Sequence, residues 1–518
     1  RSRITMPSKK ILSHRRGGSV VDKRRQRFKR TMWIYAATLI TVLTGALFWG
    51  VSIYNDDAAV KRGRMRNSPH YVSPDNIGIV GVELSSHHVR QAAAEETKKV
   101  EAAADGIRYH LVFSTDCSKY QHWQSYIMFH SALKVGQPGR VTRIASGCND
   151  DEIKQVQMWH DRHISLLSPR FTIHFTPHFS SVKAEDGSDT GKKYDFFNKP
   201  FGLKHWMEHG DGIRDGGGTL DEDAVVILID PDMILLKPIT VDFTDERQFI
   251  YGPRANSKPT ARHVAKGTPF AQEYGFGGQW STRLDLAKFL PSHSPALKMS
   301  TAEAGKMAYG PPYIGYASDM IRIAVKWAEY VPLSHAQYPN LLAEMFAYCV
   351  AAADLELEHQ IIRSLMVSDS GVAKEGWKFI DGVAGEEVCD MAFRLDTVTS
   401  PLPSVLHYCQ RYFVGGDWFF GKKRLPKDFF TCESPLLDVP PMDLAVTYDY
   451  KIPPPPHPVK NDRKPISKTA AKRDTFALCA MTAALNEAAE VFKKEACVGN
   501  ANTNLEKTMN LWHLKDKK

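Results

Sequence analysis

The stretch VVILIDPDMILLKPI, residues 225–239, decides the fold. Its first five residues are all apolar, which is typical of a strand that is buried on both faces of a parallel sheet. Asp230 and Asp232 follow directly, where this strand would end. In open α/β sheets, ligands bind beyond the carboxyl ends of the strands. The stretch therefore predicts a central strand that aims two carboxylates into a binding site.

Strand-like and helix-like segments alternate before this stretch. The apolar periodicity predicts strands at 109–114, 140–146, 171–177 and 224–230, and helices at 120–136, 150–161 and 198–209. This alternation favours an α/β fold with a mostly parallel sheet and flanking helices. Further along, residues 341–366 predict one long helix, and residues 401–426 predict a strand followed by a loop rich in Gly and aromatic residues.

The two carboxylates are the candidate metal ligands. In extended backbone, residues i and i+2 point to the same side, so Asp230 and Asp232 would converge on one point. Paired carboxylates suit a hard cation such as Mn²⁺ or Mg²⁺, which would share the oxygens of a diphosphate. Such pairs also occur as helix caps and turns, but the buried strand before them favours the metal site.

The charge distribution argues against a nucleic-acid partner. The chain has 518 residues and a formal net charge of +9. Residues 1–31 hold twelve Lys or Arg and one acidic residue, so this tail carries +11 and the rest of the chain −2. A nearly neutral folded part lacks the basic surface that polyanion binding requires.

The uncharged stretch 32–54 predicts one transmembrane helix. A helix of 23 residues spans about 35 Å, enough for the hydrocarbon core of a bilayer. A cleaved signal peptide and a buried core helix are the alternatives; the length and the aromatic residues at both ends favour the anchor. The basic tail before it predicts a cytosolic tail and a single-pass type II orientation, with the later residues lumenal.

The remaining segments complete the predicted domain organisation. Residues 55–108 read as a stem, 109–440 as the catalytic domain, 441–465 as a Pro-rich linker and 466–518 as a helical C-terminal tail. The tail helix has an apolar face, so we expect it to pack on the domain or on a partner. Eight cysteines after residue 54 permit disulfides in an oxidising compartment without defining their pairing.

Six segments together resemble plant and algal Golgi enzymes that glycosylate hydroxyproline-rich proteins, the hydroxyproline O-arabinosyltransferases and peptidyl serine α-galactosyltransferases. They are FSTDCSKYQHWQS (113–125), QPGRVTRIASGC (137–148), NKPFGLKHW (198–206), ILIDPDMILLKPI (227–239), LLAEMFAYCVAAADLELEH (341–359) and VLHYCQRY (405–412). Residues 267–280 and those after 451 lie outside this match. The resemblance implies the Rossmann-like A-type glycosyltransferase fold, a UDP-sugar donor and Golgi localisation.

The resemblance also implies roles for individual residues. Asp230 and Asp232 match the metal and diphosphate motif, and His407 matches a C-terminal histidine that completes the metal site. Lys422 and Lys423 are candidates to neutralise the donor diphosphate. The alternatives are a core histidine and a solvated basic turn.

Donor-binding candidates lie on three of the predicted elements. Thr115 and Asp116 after the first strand, and Arg143 on the second, lie where A-type transferases bind uridine; a structural ion pair is the alternative for the arginine. The helix that precedes the Asp-x-Asp strand offers its N-terminus and polar side chains to phosphate or sugar hydroxyls. Its candidate residues are Asn198, Lys199 and Lys204. A surface helix without a binding role is the alternative.

Two acidic residues are the catalytic candidates. Glu344 is an acidic residue in an otherwise apolar helix and matches a family motif. A buried carboxylate needs a partner or a function, so it would face the reacting sugar, orient an acceptor hydroxyl or form a structural salt bridge. Asp319, in GPPYIGYASDM, is a second candidate on the acceptor side.

Taken together, these observations predict a metal-dependent glycosyltransferase, and the resemblance implies that it retains the anomeric configuration of the sugar. It would transfer arabinose or galactose from a UDP-sugar to hydroxyproline or serine hydroxyls of proteins in the secretory pathway. A non-catalytic lumenal protein of the same fold that binds sugar or protein is the alternative. A two-metal phosphohydrolase is disfavoured because the sequence shows no denser cluster of His and Asp.

Overall fold

The computed structural model describes residues 105–184, 186–214, 218–251, 258–395, 401–415, 417–447, 467–497 and 505–514. The predicted basic tail, membrane anchor and nearly all of the stem lie outside these residues. Within them, no helix is long and apolar enough to cross a membrane. The described residues all fall in the unit Glu83–Lys518.

The strands of the described residues are short to medium in length. In chain order they are β1 Tyr109–Asp116, β2 Arg140–Ser146, β3 Phe171–Thr176, β4 Ser181–Lys183, β5 Asp189–Lys193, β6 Val225–Ile229, β7 Met233–Leu235, β8 Ile250–Tyr251, β9 Phe270–Glu273, β10 Tyr309–Tyr316, β11 Gln360–Ile362, β12 Met366–Val367, β13 Val405–His407, β14 Tyr412–Val414, β15 Trp418–Phe420, β16 Leu436–Leu437 and β17 Thr508–Met509.

The α-helices of the described residues range from single turns to 29 residues. In chain order they are α1 Tyr120–Lys134, α2 Asp150–His163, α3 Asn198–His209, α4 Gln279–Arg283, α5 Thr301–Ala304, α6 Ala317–Gln337, α7 Ala343–Asp354, α8 Lys378–Asp381, α9 Val388–Arg394, α10 Leu444–Thr447 and α11 Lys468–Ala496.

The central sheet has the strand order β3-β2-β1-β6-β10-β9-β11-β8. Strands β3, β2, β1 and β6 are parallel neighbours, and β9 and β11 run in the same direction as these four. Strands β10 and β8 run the opposite way. The predicted α/β fold with a large, mostly parallel sheet is therefore confirmed, and the early βαβ units have the predicted boundaries to within a few residues.

Strand β6 is buried on both faces of this sheet. Val226 and Leu228 pack into the core cluster that includes residues of α3, α6 and α7. Val225, Ile227 and Ile229 pack into the cluster on the other face, with residues of α1 and α11. The continuous apolar run is thus explained by the strand period of two: alternate residues meet different helical layers.

The predicted long helix at 341–366 is wrong in its second half. Helix α7 ends at Asp354, and Glu356 adopts a positive φ of 54°. The chain then enters the sheet as β11, where Ile361 and Ile362 are buried. Pairing with β9 and β8 supplies these residues with backbone partners that the helix would otherwise have provided.

The C-terminal helix α11 packs on the domain rather than standing apart from it. Its apolar face joins a core cluster that also holds Trp123 and Ile127 of α1. Disulfides Cys389–Cys479 and Cys432–Cys497 attach it to the preceding segments. A third disulfide, Cys117–Cys148, joins the residues that follow β1 and β2. The first of the two expected packing modes, against the domain, is therefore observed.

Candidate active site

Two short strands bring the Asp-x-Asp turn and the distant histidine together. After β6 ends at Ile229, the turn leads into β7, which pairs antiparallel with β13. In this register, His407 lies opposite Met233. The Tyr408 backbone N–H also donates to the Asp232 carbonyl oxygen at 3.0 Å. Backbone pairing therefore fixes the imidazole beside the carboxylates.

The side chains of Asp230, Asp232 and His407 converge. The Nε2 atom of His407 lies 3.2 Å from Asp232 Oδ1 and 3.9 Å from Asp230 Oδ2. The three residues offer ligand atoms that all lie within 4.8 Å of one another, and among the described residues no other group of three or more potential ligands does so. A set of two carboxylates and one imidazole fits Mn²⁺. Mg²⁺ usually keeps several water ligands and binds through one or two carboxylates, so it would use only part of this set.

Two lysines occupy the outer oxygens of the same carboxylates. Lys199 Nζ, at the start of α3, lies 2.6 Å from Asp230 Oδ1. Lys422 Nζ, just after β15, lies 2.5 Å from Asp232 Oδ2. The oxygens that face His407 are therefore the other two, Asp230 Oδ2 and Asp232 Oδ1. The lysines leave an inner set of donor atoms for a cation and balance the remaining negative charge.

Burial and neighbouring charges act in opposite directions on the titration of this cluster. Burial favours the neutral acid of Asp232, but His407 and Lys422 outweigh it, so the pKa of Asp232 lies below its usual value. Burial favours the neutral ring of His407, but Cys409 and Asp232 outweigh it and raise its pKa well above the usual value. A metal binds only the neutral form of an imidazole, so cation binding at His407 competes with protonation of the ring.

Glu344 lies behind the lysine, in the first turn of α7. Its Oε2 atom is 3.3 Å from Lys199 Nζ, so that ammonium bridges Glu344 and Asp230. Burial raises the pKa of Glu344 to about 7, with Lys199 opposing and Asp230 adding to the rise. Its side chain is 3% exposed, against 16% for Asp230. Glu344 therefore belongs to the charged cluster but sits beneath its surface.

Sequence similarity to known proteins gives separate information about this chain. No protein-family profile matches the chain. Two proteins named peptidyl serine alpha-galactosyltransferase are similar to it: the Arabidopsis thaliana protein is 28% identical over 278 residues, and the Chlamydomonas reinhardtii protein is 22% identical over 342 residues. The alignments cover 52% and 64% of this chain.

The chain is a relative of the plant and algal peptidyl glycosyltransferases. The resemblance predicted from its motifs is thereby confirmed. The aligned part spans only 29% and 37% of these two glycosyltransferases. A solved structure, the WbbM bifunctional glycosyltransferase in its apo form, is 8% identical and covers 58% of this chain and 46% of its own. Its TM-score of 0.29 is too low to carry an argument.

The three residues predicted to bind the uridine of the donor, Thr115, Asp116 and Arg143, lie on β1 and β2. Arg143 is fully buried and donates from Nε to Thr115 Oγ1 at 2.9 Å and from Nη2 to the Asp116 carbonyl at 3.1 Å. Burial lowers the pKa of Arg143 to about 10, and Asp116 opposes the change. The buried guanidinium therefore stabilises the end of β1 through these two hydrogen bonds. Of the three predicted residues, only Asp116 is partly exposed.

Other predicted residues separate into those near the cluster and those away from it. Asn198 begins α3 beside Lys199, and its buried Oδ1 atom has no hydrogen-bond partner among the described residues. Lys204 instead pairs with Glu208 one helical turn later, at 3.6 Å. Lys423 is exposed, unlike its half-buried neighbour Lys422.

Asp319 has a different environment from that of Glu344. It lies in the first turn of α6 and accepts a hydrogen bond from the Gly267 backbone N–H at 2.6 Å. Arg322, on the same helix, lies 3.7 Å from its carboxylate. These contacts attach the preceding loop to the helix. The structure therefore gives the predicted acceptor-side residue a structural environment.

Three residues near the site were not predicted from the sequence. Cys409, unpaired and half-buried, acts on the titration of His407. Glu375 accepts hydrogen bonds from the backbone N–H and the hydroxyl of Ser368; burial raises its pKa, and Ser368 and His407 oppose this rise. Tyr274 is electrostatically coupled to the same carboxylates. Cys409 lies two residues after the histidine and could have been found by that spacing, whereas the other two have no local signal.

Proposed function

We propose that this chain is a metal-dependent glycosyltransferase that moves arabinose or galactose from a UDP-sugar to a hydroxyproline or serine hydroxyl of a protein. The observation that carries the proposal is the convergence of Asp230, Asp232 and His407 at the end of β6. The relationship to proteins named peptidyl serine alpha-galactosyltransferase supports the reaction class and the peptide acceptor. The chemistry of the donor atoms supports Mn²⁺ or Mg²⁺.

The residues of the proposed site would have two roles: three of them would bind the cation, and two lysines would hold the carboxylates in place. Bound at Asp230 Oδ2, Asp232 Oδ1 and His407 Nε2, a divalent cation would supply positive charge to the leaving diphosphate. The Lys422 side chain is the most exposed of the charged residues here, at 27%. It holds Asp232 in the described arrangement and lies where it can also donate to a phosphate oxygen. Lys199 holds Asp230 from the opposite side.

We expect the anomeric configuration to be retained, because the sugar of UDP-galactose is α-linked and the two similar proteins are named alpha-galactosyltransferases. In the described part of the site, Asp230 and Asp232 are candidate metal ligands and Glu344 is almost completely buried. None of these three carboxylates is placed to form a covalent bond to the sugar. Same-face attack by the acceptor hydroxyl, with the leaving phosphate oxygen accepting its proton, is therefore preferred to a double displacement.

The proposed location is the Golgi lumen. Three disulfides in the described residues support an oxidising compartment. Anchoring through residues 32–54 in a type II orientation remains a prediction from the sequence. Protease treatment of sealed vesicles checks it: the described unit should be protected, and a degraded unit with an intact residue 1–31 segment would reverse the orientation.

A direct assay tests the proposed activity. The full chain is incubated with UDP-galactose or UDP-arabinose, a serine- or hydroxyproline-containing peptide, and Mn²⁺ or excess EDTA. We expect sugar transfer to the peptide with Mn²⁺ and none with EDTA, and NMR of the product should give the same anomer as the donor. Binding of UDP-sugar and peptide without any turnover would instead favour the non-catalytic alternative.

A further inference from the structure

We propose that Glu344 is a positioning residue that tunes cation binding through Lys199, and that it does not touch the reacting sugar. This inference rests on the proposed metal site. Glu344 was one of the two residues expected to take part directly in catalysis. Its contacts instead place it one side chain away from the donor atoms, with Lys199 in between.

The first argument is geometric. Lys199 Nζ lies between two carboxylates, 2.6 Å from Asp230 Oδ1 and 3.3 Å from Glu344 Oε2. The closer contact holds the oxygen of Asp230 that faces away from His407. The contact with Lys199 therefore fixes the orientation of the Asp230 carboxylate, with Oδ2 facing His407. The contact with Glu344 in turn fixes the position of the Lys199 ammonium.

The second argument is the depth and rigidity of Glu344. Its backbone N–H donates to the Tyr194 hydroxyl at 3.1 Å, and its carbonyl accepts from Trp327 Nε1 at 2.8 Å. Both neighbours are buried aromatic side chains. With 3% of its side chain exposed, Glu344 cannot meet a sugar ring unless these contacts are rearranged. A fixed, buried carboxylate is suited to holding another side chain in place.

The third argument concerns charge. When Glu344 is ionised, the Lys199 ammonium is shared by two carboxylates, and the net negative charge that is left beside the donor atoms favours a divalent cation. When Glu344 is replaced by glutamine, Lys199 is paired with Asp230 alone. The charge offered to the cation then becomes less negative, while the shape of the site is kept. The cation affinity should fall, and the chemistry at saturating cation should change little.

The test uses Glu344→Gln with a matched control on the same helix. Asp354, the last residue of α7, is also a nearly buried carboxylate; it accepts from Ser294 Oγ and Tyr330 OH and lies 3.8 Å from Lys326. Asp354→Asn removes a comparable charge far along the helix from the donor set. Free Mn²⁺ is titrated against each full chain and followed by electron paramagnetic resonance, which needs no turnover.

We expect Glu344→Gln to weaken Mn²⁺ binding by about 10-fold, and Asp354→Asn to leave it within about 2-fold. The kcat of the glutamine variant at saturating Mn²⁺ should fall by less than about 3-fold. Glu344→Asp, which keeps the charge on a shorter side chain, should recover part of the affinity. The melting temperature of each variant shows that the folded protein is being compared.

Two outcomes would overturn the inference. A kcat that falls 100-fold or more at saturating Mn²⁺, with unchanged Mn²⁺ affinity, would make Glu344 a catalytic residue. Unchanged affinity and unchanged kcat would leave it a structural residue only. In both cases the proposed function stands, because wild-type protein still binds Mn²⁺ and transfers sugar. Loss of the proposed function is recognised separately, by wild-type protein that binds no Mn²⁺.

Discussion

Two regions of this molecule hold buried charges whose partners are of different kinds. At the end of β6, the buried or half-buried charges of Asp230, Asp232 and Lys199 are paired with other charged side chains. On α11, the Lys493 ammonium donates to the carbonyls of Thr431, Cys432 and Ser434 at 3.0, 2.9 and 2.6 Å. Lys472 of the same helix likewise donates to two backbone carbonyls, those of Asp381 and Val383.

This difference in partners distinguishes a functional site from a set of contacts that only stabilises the fold. Side-chain partners can exchange one charge for another when a ligand arrives, because rotation about a few bonds is enough. Backbone carbonyls are fixed by the fold and cannot be reassigned. Substitutions at the β6 end should therefore change activity more than stability, and substitutions on α11 should do the reverse.

The largest effect is expected for Asp232→Asn. The change keeps the shape of the side chain but removes a charge from the inner donor set, so turnover should fall by about 1,000-fold, or about 4 kcal/mol. Sugar transfer and melting temperature are measured on the same preparation. Asp223→Asn is the control, because Asp223 is exposed and lies two residues before the start of β6, at the end of the strand away from the site. Unchanged turnover in the Asp232 variant would contradict the metal site.

Lys493→Met should show the reverse pattern. It leaves three backbone carbonyls without their donor in a buried position, which should cost about 3 kcal/mol of unfolding free energy. Turnover per folded molecule should stay the same. Lys494→Met is the control, because Lys494 is 64% exposed and makes only a 3.9 Å contact with Glu490. Denaturant unfolding gives the free energies, and equal stability of the two variants would remove the contrast between the regions.

Asp474, a buried residue of α11, should make the stability of the protein depend on pH. Burial raises its pKa to about 7, against opposing hydrogen bonds from Ser370 and the Phe413 backbone. Because the folded state holds the proton more tightly, the stability from this group is full below about pH 4 and is lost as the pH rises toward 7. Asp474→Asn cannot ionise, so its stability relative to wild type should rise by about 2 kcal/mol between pH 5 and 7.

Melting temperatures measured across this pH range check the prediction. Asp428→Asn, the same change at an exposed position, serves as the control. A stability difference for Asp474→Asn that does not vary with pH would show that the Asp474 carboxyl titrates normally.

The smallest effect distinguishes two adjacent lysines. Lys422→Ala should lower sugar transfer by about 10-fold, because Lys422 contacts Asp232, whereas Lys423→Ala should change it by less than 2-fold. The two variants lose the same side chain one residue apart. Equal losses would mean that a general positive charge matters here, and not the specific contact with the carboxylate.

The sequence was sufficient for the parts of the fold with strong local periodicity. The run 225–229 had to be a buried strand because no polar residue interrupts it, and the early helices carry clear apolar faces. The second half of 341–366 failed because apolar residues with Ala and Leu favour a helix locally, while β9 and β8 offer a sheet partner that no local pattern reveals. The acidic residues Asp354, Glu356 and Glu358 indicate a helix end, because negative charge near a helix C-terminus opposes the helix dipole.

In the candidate site, too, residues with a local sequence signal were predicted, and residues brought together only by tertiary contacts were harder to find. Asp230 and Asp232 follow from strand geometry, and His407 needed a family resemblance because it lies 175 residues away in sequence and reaches them only through the pairing of β13 with β7. The sequence placed Glu344 in an apolar helix, but its pairing with Lys199 depends on how α7 meets α3. Contacts between segments that are far apart in the sequence carry no local signature, which is why Glu375 and Tyr274 were not predicted.

The attachment of α11 has a consequence for synthesis on the ribosome. The core that surrounds Trp123 and Ile127 is completed by Phe476 and Leu485. The first pair emerges early and the second more than 300 residues later. Until then, an apolar surface of the nascent domain remains uncovered, and Cys389 and Cys432 have not met their partners. A nascent chain arrested before residue 467 should therefore be held by chaperones with at least two reduced thiols, which makes release of this protein sensitive to the last part of its translation.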